Sequence, residues 1–398
     1  MMPEGMDLLA AAPWLLAAVL LPLLMHRRWP VRRFRPPHPD DGPLVSIVVP
    51  ARNEAENISA CVATLLNSTY PRYEVIVVDD ESRDGTPDIV RLIGERSNGR
   101  LRLLEGRPLP AGWLGKSWAC AQGAAESKGE LLLFTDADTR HDDSLLGHAV
   151  GALDDLGAEL VSVLPRQRML TFWERVVLPI MFTTISTRYF DLERLSRTKK
   201  PRAVIANGQF MLFRRAAYER IGGHERVRHE IAEDLCLAQA VVAGGGRMAL
   251  AHADDLMETR MYRSLGGIIE GWTKNLALGS ANAVGPMLAP LAPWLIGLTL
   301  LAMWTVPPVV LVLSLFGVLG GGALGWSLAA TVASLACWLI VNLELGVPPL
   351  ATLFYPAGAL VAALLFFRSA LRGRRIEWRG RRYGPSATPR TPPSPGAG

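Results

Sequence analysis

Almost every residue from Met287 to Phe367 is apolar, and a second apolar run extends from Asp7 to Met25. Runs of this length match the roughly 20 residues that cross a bilayer as a helix. Between them, Arg52 to Asp255 carries the mixed charge of a water-exposed domain. The chain of 398 residues, 49% apolar, therefore reads as membrane, soluble and membrane parts.

The net charge of +5 suggests nucleic-acid binding only until it is divided by region. Five arginines lie between Arg27 and Arg35, and seven lie between Arg368 and Arg382 against the single Glu377. The remainder of the chain is thus net acidic, which excludes a nucleic-acid partner. Both basic stretches abut apolar runs, where arginines hold a loop on the cytoplasmic side. The soluble domain is expected in the cytoplasm of a bacterial-type cell, on its inner membrane. The first apolar run opens with Glu4 and Asp7 and is followed by its arginines, the order of a retained anchor with its N-terminus outside. Cys61, Cys120, Cys236 and Cys337 are too scattered for a zinc or redox pair.

A Pro-rich linker, residues 36–43, leads into the β-branched run Leu44 to Val49. Helices are expected at 56–67, 86–95, 116–127 and 142–153, alternating with strands at 74–78, 101–104 and 131–134. This alternation predicts an α/β domain with a mostly parallel sheet, whose ligands gather at the carboxyl ends of the strands. The apolar stretch from Phe172 to Tyr189 reads as an interfacial helix. In the C-terminal region Pro307 and Pro308 interrupt the pattern, and an even number of spans returns the arginines after Arg368 to the cytoplasm. Four spans are expected, near 287–304, 307–322, 325–342 and 349–367. The expected division is 1–43 (anchor and linker), 44–283 (catalytic), 284–370 (membrane helices) and 371–398 (basic tail, disordered from Pro385).

Three polar loops follow three apolar strands: Pro50-Ala51-Arg52-Asn53-Glu54, the segment Asp79 to Thr86, and Thr135-Asp136-Ala137-Asp138. Two carboxylates separated by one residue suit a hard divalent cation, which neutralises a diphosphate. Asp84 also reads as the N-cap of the helix that follows. A single loop of this kind is weak, since aspartates also serve turns. Three on one sheet edge make a nucleotide pocket.

The run Val45 to Glu54, the Asp79 to Thr86 loop and Asp136-Ala137-Asp138 resemble the family 2 glycosyltransferases. Gly115-Lys116 with Ala119 and Gly123 is similar to that family's lysine-bearing helix, with Gln122 where an asparagine is usual. The segment Gly208-Gln209-Phe210 through Arg214-Arg215 to Gly222-Gly223 resembles its acceptor side, with His224 in place of the common aromatic. Glu233-Asp234 resembles its catalytic acidic pair. The resemblance implies a GT-A fold and inverting, metal-dependent transfer from a nucleotide-sugar donor. By position, Pro50, Arg52, Glu54, Asp80 and Lys116 would line the donor site, with Asp80 at the base. Asp136 would meet the ribose or diphosphate, Asp138 and Asp136 the Mg2+ or Mn2+, and Asp234 would be the general base beside Glu233. Gly208, Gln209, Phe210 and Trp272 would face the acceptor.

Processive polysaccharide synthases carry a QxxRW motif, where this chain has Gly271-Trp272-Thr273-Lys274-Asn275. Segments 110–116 and 270–275, with the membrane flanks, resemble instead the bacterial hopanoid-associated and carotenoid glycosyltransferases. That implies a lipid or terpenoid acceptor arriving from the membrane. A polyprenyl-phosphate sugar transferase, a polysaccharide synthase and a nucleotide-binding assembly protein are the alternatives.

Overall fold

The structure is a computed structural model that describes residues 9–38, 42–274, 276, 279–280, 287–320, 322–372, 376–378 and 381–383. Asp7, Pro39 to Asp41, Asn275, residues 281–286 and the tail from Pro385 lie outside the described residues. The chain divides into two compact units. One is built from residues 29–168, 191–261 and 374–398, the other from 1–28, 169–190 and 262–373. Residues 169–190 and 262–283, expected within the catalytic part, thus group with the helices.

The first unit holds an eight-stranded mixed sheet. Its strands are β1 (Val45–Ala51), β2 (Tyr73–Asp79), β3 (Leu101–Glu105), β4 (Leu131–Thr135), β5 (Thr139–His141), β6 (Leu160–Gln167), β7 (Phe210–Arg214) and β8 (Met248–Thr259). Their order is β3-β2-β1-β4-β7-β6-β8-β5. The half read from the sequence, β3-β2-β1-β4, is parallel. In the other half β6 and β8 are parallel, which keeps the sheet mostly parallel as expected, while β7 runs antiparallel between β4 and β6 and β5 pairs antiparallel with β8. Such insertion is set by long-range pairing, which leaves no local period in the sequence.

β1 and β2 are aligned so that Ala51 faces Asp79, and Val48 pairs with Phe134 of β4, so the loops after all three strands emerge at one edge. Phe210, the first residue of β7, pairs with Thr135, the last of β4, and so delivers residues 207–209 to the same edge. Helix Gly115–Ala125 lies against β1 and β2 through Gly123, where a Cβ would stand 2.3 Å from Val48 Cγ1 and 3.0 Å from Val78 Cγ2. Gly123→Val is expected to overpack this contact by about 1–3 kcal/mol. A thermal melt should show the transition several degrees lower, and an unchanged transition would mean that the layer is loose.

The second unit is helical. Its helices include Ala12–His26, Phe172–Ser186, Leu265–Thr273, Gly322–Glu344 and Tyr355–Arg372. Three segments are long and apolar enough to cross a membrane, Ala292–Leu315, Gly322–Glu344 and Pro349–Arg372, and these correct the expected four. Pro307 and Pro308 do not break the first, because they sit in the first turn of Val306–Leu315, where helical N–H groups have no intrahelical partner anyway. The wider π-turn Leu301–Thr305 joins that helix to Ala292–Leu300. Among the described residues the candidate count is thus three rather than an even number, and charge parity does not fix the side of the soluble domain.

Ala12–His26 spans only 15 residues, about 22 Å of helix against a ~30 Å hydrocarbon layer. Helix Phe172–Ser186 has Val176 to Met181 all buried within the helical unit, while Phe172 at its start is 46% exposed. It starts with a capping box between Thr171 and Glu174, and Gly358 lets the helix after Tyr355 approach to within side-chain-free distance of the Val176 carbonyl.

Candidate active site

The loops after β1 and β2 are laced together. Asn53 N donates to Ser82 Oγ (2.9 Å), Glu54 N to Thr86 Oγ1 (2.9 Å), Ala55 N to Asp84 Oδ2 (3.1 Å), and Arg83 N to Asn53 Oδ1 (2.8 Å). Asn53 and Glu81 take positive φ angles of 53° and 55°, strain that persists only where surroundings impose it and that clusters at functional sites. The N-cap position of helix Thr86–Gly94 is Gly85 rather than the expected Asp84. The Asp84 carboxylate instead accepts from Thr86 N at 3.0 Å. Burial opposes its charge, but the bonds from Thr86 and Ala55 hold its pKa below normal.

Arg52 lies across this floor. Its guanidinium donates to the Asp80 carbonyl and reaches the Asp80 carboxylate at 3.9 Å. Asp80 and Glu54 are both nearly buried, and Pro50 is in β1 opposite Val78. Asp79, absent from the expected site, is also buried. Its Oδ2 accepts from Ser82 N at 3.2 Å, and Oδ1 has no partner among the described residues. The sequence marks it only as the start of the second polar loop, and the structure adds that it is the last, buried residue of β2.

The chemical centre lies one strand over. Lys116, in the first turn of Gly115–Ala125, places Nζ 2.8 Å from Asp136 Oδ1 and 2.9 Å from Glu233 Oε1. Burial works against the ammonium, but the two carboxylates outweigh it and hold its pKa well above the usual value. Beside it, Asp234 Oδ2 accepts from Gly208 N at 2.9 Å, and Oδ1 accepts from Leu235 N at 2.7 Å. Any side chain at position 208 would crowd both groups, since a Cβ there stands 3.2 Å from Asp234 Oδ2 and from Lys116 Nζ. Burial, then the charge of Glu233, pushes the Asp234 carboxyl up to about 6. For Glu233 the balance is reversed: burial raises its pKa, but the charge and hydrogen bond of Lys116, together with a backbone N–H, bring it below normal. Two neighbouring carboxylates thus have opposite proton affinities, the arrangement that separates a proton acceptor from a charge partner.

The Asp136–Asp138 turn is pinned from beneath. Thr139 Oγ1 donates to Asp136 O (2.7 Å) and Thr259 Oγ1 to Asp138 O (3.3 Å). Both hydroxyls are buried, and no motif marks them in the sequence. Among the described residues no three His, Cys, Asp or Glu side chains converge as a metal group. Two carboxylates are hard oxygen donors that suit Mg2+ or Mn2+, and such a cation ordinarily completes its shell with phosphate oxygens and water. The donor set fits the cation.

Of the expected acceptor side, Gly208 stands at Asp234. Gln209 is 4% exposed, with Nε2 donating to Thr259 Oγ1 (3.2 Å) and Oε1 accepting from Asn207 Nδ2 (3.2 Å). Phe210 is fully buried in β7. Trp272 belongs to the helical unit, buried beside Phe182 (ring centroids 5.8 Å) and Tyr262 (6.5 Å). His224 is buried too, its Nδ1 2.8 Å from Tyr218 Oη and its ring 4.6 Å from that of Phe134, so it occupies an aromatic core position. Gln122 Oε1 accepts from Arg107 N at 2.7 Å, fixing the loop before the lysine helix.

Residues 46–222 match the family described as glycosyl transferase family 2. A 4,4'-diaponeurosporenoate glycosyltransferase of Staphylococcus haemolyticus is 28% identical over 262 residues, covering 64% of this chain and 66% of its own length. A beta-monoglucosyldiacylglycerol synthase of Nostoc sp. is 31% identical over 201 residues, covering 49% of this chain and 40% of its own. The chain therefore spans less than two thirds of the length of these relatives. Among solved structures, a mannosyltransferase of Pyrobaculum calidifontis in complex with GDP-Man and Mn2+ aligns with a TM-score of 0.56 and 23% identity, covering 92% of this chain and 98% of its own. At that identity the likeness speaks to the fold.

Proposed function

Residues 46–222 of the chain belong to glycosyl transferase family 2, on a GT-A fold, and from that premise we propose that the protein moves one sugar from a nucleotide-sugar donor to a lipid acceptor, with inversion at the anomeric carbon. The observation that carries this is Asp234, a carboxylate with a raised pKa, oriented by two backbone N–H groups beside the Lys116 bridge. An acceptor hydroxyl is a poor nucleophile until a base takes its proton. Asp234 accepts that proton as the new bond forms from the acceptor oxygen to the anomeric carbon. The carbon–oxygen bond to the diphosphate breaks, and its electron pair leaves with the nucleoside diphosphate.

Asp80 and Arg52 form the floor for the base, and Asp136 and Lys116 meet the ribose and diphosphate. Asp136 and Asp138 would hold Mg2+ or Mn2+, which would neutralise charge on the leaving diphosphate. Lys116 adds a second positive charge on the same side. The lipid acceptor is supported by the three candidate spans and by the names of the two relatives, one for a carotenoid acid and one for a diacylglycerol lipid. The reading places the enzyme on a bacterial-type inner membrane with the donor site in the cytoplasm.

The direct test is mass spectrometry of lipids from cells with and without the gene. A lipid that gains one sugar mass only when the gene is present supports single transfer. A polymer, or a polyprenyl phosphate sugar, would replace it with one of the alternatives, and no change in any lipid would remove it. In the purified protein, Asp138→Asn should raise the Mn2+ concentration for half-maximal donor turnover about tenfold or more, because one of two hard ligands loses its charge. An unchanged metal response would take Asp138 out of the cation site.

A further inference from the structure

Segment Asp191–Arg202 is basic within a domain that is otherwise acidic: Arg194, Arg197, Lys199, Lys200 and Arg202 stand against Asp191 and Glu193. Both anions are already engaged. Asp191 Oδ1 accepts from Arg194 N at 2.9 Å at the start of helix Leu192–Ser196, and Glu193 pairs with Arg197 at 2.7 Å. Lys199, Lys200 and Arg202 are exposed, and none makes an ion pair or side-chain hydrogen bond among the described residues. Like charges spaced this closely repel one another, and an anion bound among them would relieve that repulsion.

The placement of the cluster is fixed. Leu192 and Leu195 are buried, and their helix packs on β8. The turn Pro201–Ala203 packs on helix Glu233–Ala243, whose first two residues are the acidic pair. Six residues after Arg202 comes Gly208, whose N–H holds Asp234. Those six residues reach at most about 20 Å. Asn207, just before, is tied to β6 through Ser162 Oγ (2.9 Å) and the Val163 carbonyl (3.0 Å). An anchored strap thus carries three exposed cations on the segment that leads to Gly208, no more than about 20 Å of chain from the proposed base.

We propose that Lys199, Lys200 and Arg202 bind an anionic group, carboxylate or phosphate, on the lipid acceptor. The inference rests on the glycosyltransferase reading and adds the chemical class of its acceptor. A diphosphate donor and an anionic acceptor repel each other, and cations between them reduce that repulsion. Where the anionic oxygen is itself the nucleophile, it has no proton to lose, and Asp234 then matters less to the rate.

The test uses the full chain in a neutral detergent and three amphiphiles with one tail: hexadecanol, hexadecanoate and hexadecyl phosphate. Binding is measured by titration calorimetry, so the result does not depend on turnover. Both anions should bind about tenfold more tightly than the alcohol, a difference of ~1.4 kcal/mol, and raised salt should narrow the gap. K199Q/K200Q/R202Q should abolish the preference, while K199R/K200R/R202K should keep it. Hexadecanoate and hexadecyl phosphate, compared with each other, name the anion.

Equal binding of alcohol and anions, or a preference that survives the neutral triple variant, overturns the proposal. A second arm measures sedimentation with vesicles of phosphatidylcholine alone or with added phosphatidylglycerol. If the triple variant loses only the phosphatidylglycerol-dependent binding and keeps the anion preference, the cations serve the bilayer surface and the acceptor role falls. Donor turnover in the same preparations reports on the glycosyltransferase reading separately.

Discussion

Asp234→Asn is expected to lower kcat with a hydroxyl acceptor by about a thousandfold, leaving the donor KM within about twofold. Asparagine keeps the volume and an oxygen for one of the two backbone donors, Gly208 N or Leu235 N. The other N–H loses its acceptor, which costs on the order of 1 kcal/mol and leaves the protein folded. The loss is thus one of proton acceptance, and the pH profile identifies it. The carboxyl acts only when ionised, and burial together with Glu233 pushes its pKa up to about 6. Wild-type kcat/KM should therefore be lost as pH falls through about 6 and level off above it. The asparagine variant should lack this acidic limb. A limb that persists in the variant, or a kcat within about tenfold of wild type, would assign the base elsewhere. A carboxylate acceptor gives a third pattern, in which the variant's deficit shrinks because no proton has to move.

How much of this was legible in the sequence depends on whether the cause was local. Ile47 to Val49, Val75 to Val78 and Leu131 to Phe134 are continuous apolar runs, and a strand covered on both faces needs just that. Their polar ends therefore announced one edge of the site. The other half of the sheet gave no such signal. β8 carries Asp254 and Asp255 within its length, and β7 is short, so their positions follow from pairing across 49 to 120 residues of chain. The prolines at 307 and 308 misled for the opposite reason. A proline stops a helix in its interior but is tolerated in the first turn, and which of these holds is decided by the helix start. Within the site, Asp136 and Asp138 were readable as a pair because one turn carries both. The contact of Lys116 with Asp136 and Glu233 was not, since it joins two helices and a strand end. Nor were Thr139 and Thr259, which hold the turn's carbonyls through hydroxyls that any strand might carry.

That contact makes the second large prediction. Lys116→Gln removes the cation that, among the described residues, Asp136 and Glu233 share, and three carboxylates, Asp234 included, then crowd one place. Breaking a fully buried pair costs ~3–5 kcal/mol. Lys116 is 35% exposed, so water screens part of this and about 1–3 kcal/mol is expected from the stability. The donor KM should rise about tenfold to a hundredfold through loss of a charge beside the diphosphate. The more telling result is again in the pH profile. Lys116 is one of the groups that lower the Asp234 pKa, so without it the carboxyl holds its proton to higher pH. The acidic limb should then move above 6, and activity at neutral pH should fall further than the donor KM alone accounts for. Lys116→Arg keeps the charge but replaces one nitrogen, 2.8 and 2.9 Å from its two oxygens, with a planar fork. It should restore the position of the limb without restoring the full rate. If the limb stays near 6 in the glutamine variant, Lys116 serves the donor alone, and the proton affinity of Asp234 is set by burial and Glu233.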